Sequence, residues 1–218
     1  MDKTIRKIIA AAVLLLIVLA VYQWHLYTKK AELRSDALLY FKEEDYKKSI
    51  EYLEDALKKD SLFGGKLDRD MNSYLAESYY RLGDYEKAQK LYRKLQKEEP
   101  DQALYYLLEG ECLKASEEYD DALQIFQKGW EQTKDTAFLS KICGIYIEQN
   151  EYEKALDYAQ KGISDDGGSS SELMYQLIII YERSQDYEKA YQAAQDYCEQ
   201  YPEDDRAKRE LIFLSSRV

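Results

Sequence analysis

The chain has 218 residues, enough for one extended repeat domain after a membrane segment is set aside. Only 9 Gly and 2 Pro interrupt it, and because these residues are the main breakers of helices, their scarcity favours helix throughout. The formal net charge of −11 argues against binding to nucleic acid or to anionic lipid head groups, although an acidic excess usually serves solubility alone.

A short basic tail, residues 1–7, precedes an apolar stretch at residues 8–27. The 17 residues from Ile8 to Trp24 are nearly all apolar, and roughly 17–25 such residues are enough to span a bilayer as a helix. Trp24 and Tyr27 suit the membrane–water interface, where an amphipathic ring keeps its polar edge in water. We therefore expect one transmembrane helix that anchors the chain.

A secretory signal peptide is the alternative interpretation of the same stretch. Val18 and Ala20 suit the −3 and −1 positions of a cleavage site after Ala20. No polar or helix-breaking stretch separates the apolar run from that site, which favours a retained anchor. The mass of the mature protein distinguishes the two, because cleavage would leave Val21 at the N-terminus.

The basic residues that flank the apolar stretch predict its orientation. Three lie on each side: Lys3, Arg6 and Lys7 before it, and Lys29, Lys30 and Arg34 after it. The first set is tighter and gains the terminal amine, so the positive-inside rule favours a cytoplasmic N-terminus with the rest of the chain outside the cytoplasm. Because no Gly or Pro occurs before Gly64, the spanning helix is expected to run directly into the next helix.

An acidic residue followed by tyrosine recurs along the remaining sequence. The five tyrosines, spaced 33 to 39 residues apart, are Tyr46, Tyr85, Tyr119, Tyr152 and Tyr187. Each is followed three residues later by a small side chain: Ser49, Ala88, Ala122, Ala155 and Ala190. A period near ~34 residues is typical of stacked helical hairpins, each of which buries its apolar face only against its neighbours.

These positions resemble the tetratricopeptide repeat, in which a small residue and a tyrosine on a first helix precede Asp-Tyr and a small residue on a second. The resemblance covers residues 30–202 and implies an all-α solenoid of about five helical hairpins. The implied units are residues 30–63, 69–102, 103–135, 136–169 and 171–202. A Gly/Ser-rich sequence at residues 164–171 predicts a flexible loop.

The last residues, 203–218, are predicted to form a helix that covers the final hairpin. Asp204 or Asp205 can cap its N-terminus. Ala207, Leu211 and Leu214 then lie on one face of that helix. Repeat arrays require such a terminal cover, since the last repeat has no further neighbour.

The resemblance also implies a concave surface, formed by the first helix of each hairpin, that binds a partner. The candidate residues are Arg34, Lys42, Glu77, Tyr80, Arg81, Glu111, Lys114, Tyr175, Ile179, Glu182 and Arg183. Gly144, Ile147 and Glu148 occupy corresponding positions on the fourth unit. A mixed aromatic and charged surface suits an extended peptide or a partner helix, and an ordinary solvated face is the alternative interpretation.

No pattern predicts a catalytic, cofactor or metal site. The only histidine, His25, lies at the expected membrane interface, and the cysteines Cys112, Cys143 and Cys198 fall in separate repeats without metal-ligand spacing. We expect no enzymatic activity, no cofactor, no small-molecule substrate and no nucleic-acid partner. The sequence favours a membrane-anchored scaffold, of a bacterial type, that binds a protein or peptide. The alternatives are a self-assembling structural element and an accessory subunit of a membrane or secretion complex.

Overall fold

The chain folds into α-helices joined by short connections. The computed structural model describes residues 3–165, 167 and 170–218, and over those residues it contains eleven helices and no strand. In chain order the helices are α1 Lys3–Lys42, α2 Tyr46–Leu57, α3 Gly65–Arg81, α4 Tyr85–Glu98, α5 Ala103–Ala115, α6 Tyr119–Thr133, α7 Ala137–Glu148, α8 Tyr152–Asp165, α9 Ser171–Arg183, α10 Tyr187–Gln200 and α11 Asp205–Leu214. The predicted all-α fold of helical hairpins behind one long apolar N-terminal helix is confirmed.

Helix α1 has two parts with different surroundings. It runs without interruption for 40 residues, which confirms that the apolar stretch continues into the first repeat helix. Residues 3–22 are exposed on every side, whereas Lys30 and Ala37 are buried against the following helices. By length and composition α1 can cross a membrane, and none of its apolar stretch is buried; an N-terminal signal sequence meets the same criteria.

The chain forms two compact units, the first ending at Glu98 and the second beginning at Glu99. In unit 1 the hairpin α1–α2 packs through α2 onto α3, which pairs with α4. Fully buried apolar side chains lie at these contacts: Ala37, Leu53, Ala56, Met71, Ala76, Ala88, Tyr92 and Leu95. The alanines allow the helix axes to approach closely, and the larger side chains fill the space between turns.

Unit 2 contains the hairpins α5–α6, α7–α8 and α9–α10, followed by α11, which packs on α10. Phe126 and Phe138 are fully buried in the core of the first two of these hairpins. At the end of the unit, Ala207 and Leu214 of α11 are buried with Tyr197 and Ile178. The predicted C-terminal helix is therefore present, and its N-cap is Asp204, whose side chain accepts a hydrogen bond from the Arg206 backbone N–H.

The recurring Asp/Glu-Tyr pair marks the turn of every hairpin. The residue before it has a left-handed backbone, with φ between 61° and 79°, in all five turns: Glu44, Gly83, Glu117, Asn150 and Gln185. Three of the acidic side chains, Asp45, Asp84 and Asp186, then accept a hydrogen bond from the backbone N–H three residues on, at 3.2 to 3.3 Å. In these three hairpins the pair thus ends the turn and caps the second helix.

The connection after α8 is shorter than the sequence predicted. Ser164 and Asp165 belong to the end of α8, and Ser171 begins α9, so the expectation of a loop at these three residues is wrong. The Ser170 hydroxyl caps α9 by accepting a hydrogen bond from the Leu173 N–H, and serine is a preferred residue at that position. Residues 166, 168 and 169, to which the predicted flexibility also applied, lie outside the described residues.

Candidate functional site

The first helices of the unit 2 hairpins, α5, α7 and α9, form a polar groove. We call it the unit 2 groove; it encloses about 520 Å³ and is lined chiefly by Lys114, Lys141, Gly144, Glu148, Glu172 and Gln176. Its floor is stabilised by a hydrogen bond that the Gln176 Nε2 donates to the Ser140 backbone oxygen at 3.1 Å, which ties α9 to α7. The groove therefore has a fixed base and charged walls.

Two ion pairs cross from α5 to α7 along this groove. Lys114 Nζ lies 2.6 Å from Glu148 Oε1, and Lys141 Nζ lies 2.7 Å from Glu111 Oε1. All four side chains are partly exposed, and exposed pairs contribute only ~0–1 kcal/mol of stability. A bound chain that carries its own charges can replace one member of either pair at little cost.

Gly144 gives the groove its open floor. A methyl group added at Gly144 would meet a single neighbouring atom, the Gln176 Nε2, at an ordinary contact distance of 3.7 Å. The other helical glycines of unit 2 are different. A methyl group would lie 2.2 Å from the Phe126 ring at Gly110, 2.4 Å from the Phe138 ring at Gly129 and 2.4 Å from Leu173 at Gly162. Helix packing therefore explains those three glycines but does not explain Gly144.

In unit 1 the predicted surface residues lie on α1 and α3. Arg34 of α1 donates a hydrogen bond from its Nε to Asp70 Oδ2 at 2.5 Å, and this bond raises the pKa of the Arg34 guanidinium. Glu77 and Arg81 form an ion pair at 3.1 Å within α3, next to Tyr80, whose ring lies 5.6 Å from that of Tyr85. Lys42 is exposed in the last turn of α1. These side chains place charged and aromatic groups on α1 and α3, within unit 1.

Tyr175 and Arg183, two of the predicted surface residues on α9, do not line the unit 2 groove. The Tyr175 ring contacts Tyr197 of α10 edge-on, with the ring centres 6.0 Å apart. The Arg206 guanidinium of α11 lies 4.8 Å above the Tyr175 ring, so Tyr175 contacts both α10 and α11. Arg183 lines a different cavity with the Asn150–Lys154 turn.

The remaining α9 candidates, Ile179 and Glu182, are half-buried on that helix. The pKa of Glu210 on α11 is raised, first by burial and then by the charge of Glu182. Glu182 therefore acts on α11 electrostatically. Of the predicted surface residues, Lys114, Gly144 and Glu148 line the unit 2 groove, and Glu111 pairs with Lys141 beside it.

Sequence reasoning missed Lys141, Glu172 and Gln176. A usable signal exists for one of the two ion pairs, since Lys114 and Glu148 lie 34 residues apart, which is one repeat period. Glu111 and Lys141 lie 30 residues apart and do not follow that period. Opposite charges one period apart fall on equivalent positions of adjacent first helices and are therefore neighbours. Gln176 carries no comparable signal, because its partner is a backbone oxygen.

The cysteines and acidic residues offer no reactive centre among the described residues. Burial raises the pKa of both the Cys112 and the Cys143 thiols to about 12, so both stay protonated near neutral pH. The Cys143 Sγ donates a hydrogen bond to the Ala155 backbone oxygen at 3.4 Å. Over the residues that the structure covers, no three His, Cys, Asp or Glu side chains are grouped so as to hold a metal ion.

Comparison with solved structures shows the same architecture in bacterial proteins. A tetratricopeptide repeat protein from Parabacteroides merdae superposes with a TM-score of 0.70 at 15% identity, over 86% of this chain and 72% of that one. MamA from Desulfovibrio magneticus superposes with a TM-score of 0.63 at 18% identity, over 81% of this chain and 97% of that one. YrrB, described as a TPR protein with an unusual peptide-binding site, superposes with a TM-score of 0.57 at 16% identity, over 81% of this chain and 89% of that one.

Sequence comparison identifies the repeats themselves. No curated protein shows significant similarity to the chain. The family profile of the tetratricopeptide repeat, in contrast, matches residues 36–87, 74–131 and 145–205, which is most of the chain. The chain therefore belongs to the tetratricopeptide repeat family, and its fold is that of a protein–protein interaction scaffold.

Proposed function

We propose that this chain is a membrane-anchored scaffold that binds an extended segment of a protein partner in the unit 2 groove. The observation that carries the proposal is Gly144. A glycine in a helix interior costs about 0.8–1.0 kcal/mol relative to alanine. Because none of the described helices packs closely enough to require glycine there, the open space at Gly144 is best explained as room for a partner's chain.

The walls of the groove suit a peptide of mixed charge. Lys114 and Lys141 offer ammonium groups, and Glu111 and Glu148 offer carboxylates, at partly exposed positions on both sides of Gly144. A partner with alternating charges can bind to these groups while its backbone lies over the glycine. Peptide binding by YrrB, a protein of similar fold, is consistent with this mode of binding.

The anchor is the second part of the proposal. Residues 8–22 of α1 present apolar side chains in every direction, and a water-soluble protein rarely exposes such an area. We place the N-terminus in the cytoplasm and the repeats outside it, at the cell membrane. Protease added to intact cells should then degrade the repeats; repeats that are shielded until lysis would contradict this orientation. A mature N-terminus at Val21 would contradict the anchor itself.

Filling the groove tests partner binding. In the full-length protein, Gly144→Leu places a bulky side chain over the floor, and we expect proteins that copurify with the wild type from native membranes to be lost. Gln124→Leu is the matched control, because Gln124 is exposed on α6, a second helix outside the groove. Helicity should be equal in all three proteins. Copurification that is unchanged by Gly144→Leu would exclude the unit 2 groove as the binding site.

A further inference from the structure

The connection between α2 and α3 has an unusual apolar tip. Leu62 and Phe63 are 84% and 62% exposed, whereas Ser61 and Gly64 on either side of them are buried. Large apolar side chains are rarely displayed in adjacent pairs at the end of a turn in contact with water, so these two residues require an explanation. We call them the Leu62–Phe63 tip.

The turn that carries the tip is held by hydrogen bonds and by packing against α1. The Gly64 N–H donates a hydrogen bond to the Ser61 backbone oxygen at 3.0 Å, and the Phe63 N–H donates one to the Ser61 Oγ at 3.4 Å. A methyl group at Gly64 would lie 3.2 Å from the Lys30 Nζ, which forms a buried ion pair with Asp68 at 2.5 Å. The turn is therefore packed against α1 from beneath, and its apolar side chains point outward because the inner positions are already filled.

The tip meets α1 at the end of the apolar stretch. The Leu62 N–H donates a hydrogen bond to the Gln23 Oε1 at 3.0 Å. Gln23 is the first polar residue after the apolar run, and the neighbouring Trp24 ring lies 5.8 Å from that of Tyr27. Trp and Tyr at this point are typical of the membrane–water interface. If residues 8–22 cross the bilayer, Leu62 lies at the depth of its head groups.

Charge around the tip differs from that of the whole chain. The protein is acidic, but Lys58, Lys59 and Lys66 flank the tip within four residues on either side, with only Asp60 among them. Lys58 and Lys66 are exposed. Apolar side chains between lysines are the pattern by which protein segments enter the interface of a membrane that contains anionic lipid. Residues 58–67 therefore carry three basic residues and one acidic residue, and Lys58 also pairs with Asp55 at 2.8 Å just before this segment.

We propose that the Leu62–Phe63 tip inserts into the membrane interface beside α1, so that unit 1 contacts the bilayer at two points. This inference rests on the proposed anchor. One helix alone leaves a protein free to rotate about the axis of that helix. The second contact fixes the rotation and sets which side of the α1–α2 hairpin faces the lipid.

Labels at three sites test the inference in the full-length protein, reconstituted in vesicles of phosphatidylcholine and phosphatidylglycerol. The background variant is Cys198→Ser, because the two remaining cysteines, Cys112 and Cys143, are buried and do not react with the label. Single cysteines are then introduced as Phe63→Cys, Leu16→Cys or Glu43→Cys, and each is labelled with an environment-sensitive fluorophore. Glu43 is the matched control, since it is exposed about 30 Å farther along the axis of α1 than Gln23. Lipids that carry a nitroxide quench only labels in contact with lipid.

We expect blue-shifted emission and lipid quenching at residues 63 and 16, and neither at residue 43. A label at residue 63 that behaves like the one at residue 43, while residue 16 is quenched, would overturn the inference and leave the anchor intact. A blue shift at residue 63 without lipid quenching would also overturn it, because a protein surface would then cover the tip. Absence of quenching at residue 16 would refute the anchor and the inference together.

A second variant tests the native side chains rather than the label. With the fluorophore on Lys66→Cys, at the exposed start of α3, we expect partial quenching by the nitroxide lipids. Adding Leu62→Ser and Phe63→Ser should abolish that quenching, since serine has no tendency to enter the interface. Both residues are exposed, so the fold is not at risk. Quenching that persists in the serine variant would contradict the role of the tip.

Discussion

Glycine has two separate uses on the first helices of unit 2. At Gly110 the Phe126 ring of the paired helix occupies the space that a side chain would need. At Gly144 the same space is open to the groove, and only the Gln176 amide lies near it. The sequence shows a helical glycine in both places and does not distinguish packing from access. The difference depends on which atoms the fold brings opposite each glycine.

The same substitution at these two glycines should therefore have opposite effects. Gly110→Ala forces a methyl group into the Phe126 ring, and overpacking of a core costs typically ~1–3 kcal/mol. Gly144→Ala removes an unfavourable helix residue without a clash and should stabilise the protein by about 0.5–1 kcal/mol. Thermal unfolding of the full-length protein in detergent, followed by circular dichroism, measures both. Midpoints that move in the same direction would contradict this assignment.

The turns show what residue-level prediction misses. Gly83 predicts a left-handed turn, because glycine adopts that backbone conformation without strain. The same conformation occurs without glycine in the other four turns, at Glu44, Glu117, Asn150 and Gln185. L side chains are strained there, and the surrounding hairpin imposes the conformation because the helices on both sides are packed. The recurring acidic residue and tyrosine locate these turns correctly. Their backbone geometry becomes visible only in the folded chain.

At the scale of the element, α11 is held by a hydrogen-bonded carboxylate. Asp204 accepts hydrogen bonds from the Arg206 backbone and guanidinium, and from the Tyr197 hydroxyl at 2.7 Å. The Arg206 guanidinium foremost, and then the Tyr197 hydroxyl, hold the pKa of Asp204 well below its usual range. Burial, followed by the hydrogen bond to Asp204, raises the pKa of Tyr197 to about 12. One side chain thus caps α11 and attaches it to α10.

These shifts predict how the attachment of α11 depends on pH. The folded pKa of Asp204 lies below the unfolded value of about 3.9, so its stabilising contribution is present above that pH and is lost as the pH falls further. The folded pKa of Tyr197 lies above the unfolded value of about 10, so stability is lost as the pH rises from about 10 to about 12. Hydrogen exchange, corrected for intrinsic rates, should show falling protection of residues 205–214 in both ranges.

Replacing the Asp204 carboxylate tests how much it contributes to the attachment of α11. Asp204→Asn should lower the protection of α11 at neutral pH and abolish the further fall in acid, because the asparagine amide does not titrate. Asp205→Asn is the matched control, since Asp205 is the adjacent carboxylate and its side chain is 77% exposed. Equal protection profiles in the two variants would show that Asp204 does not hold the helix in place.

The helices and their pairing into hairpins were predicted from the sequence more completely than the unit 2 groove. The five hairpins follow from positions such as Ala88 and Ala122, which recur because each is fully buried where paired helices approach. The resemblance did not predict where α3 begins. In the structure α3 begins at Gly65, directly after the buried Gly64, which lies close to the Lys30 Nζ. At the groove, Glu111, Lys114, Gly144 and Glu148 were named from the sequence. Lys141 and Gln176 were not, because their positions there depend on which helices become neighbours.

For the molecule as a whole, the important feature is that α1 joins an exposed apolar segment to a segment that packs into unit 1. Its apolar half is exposed on every face, and its second half supplies the buried Ala37 to unit 1. At about 1.5 Å per residue the helix is about 60 Å long, and no glycine or proline divides it. The two halves therefore have a fixed relative rotation, in contrast to a domain attached by a flexible linker.

This continuity restricts how the gene can change. Each residue inserted or deleted between residues 23 and 29 would turn the apolar half of α1 by about 100° relative to the Leu62–Phe63 tip, because an α-helix has 3.6 residues per turn. Each residue would also move the tip by about 1.5 Å along the axis of α1, so seven inserted residues, which make nearly two complete turns, would carry the tip about 10 Å from the end of the apolar stretch. We therefore expect insertions between residues 23 and 29 to draw Leu62 and Phe63 away from the membrane interface even where they restore the original face of the helix.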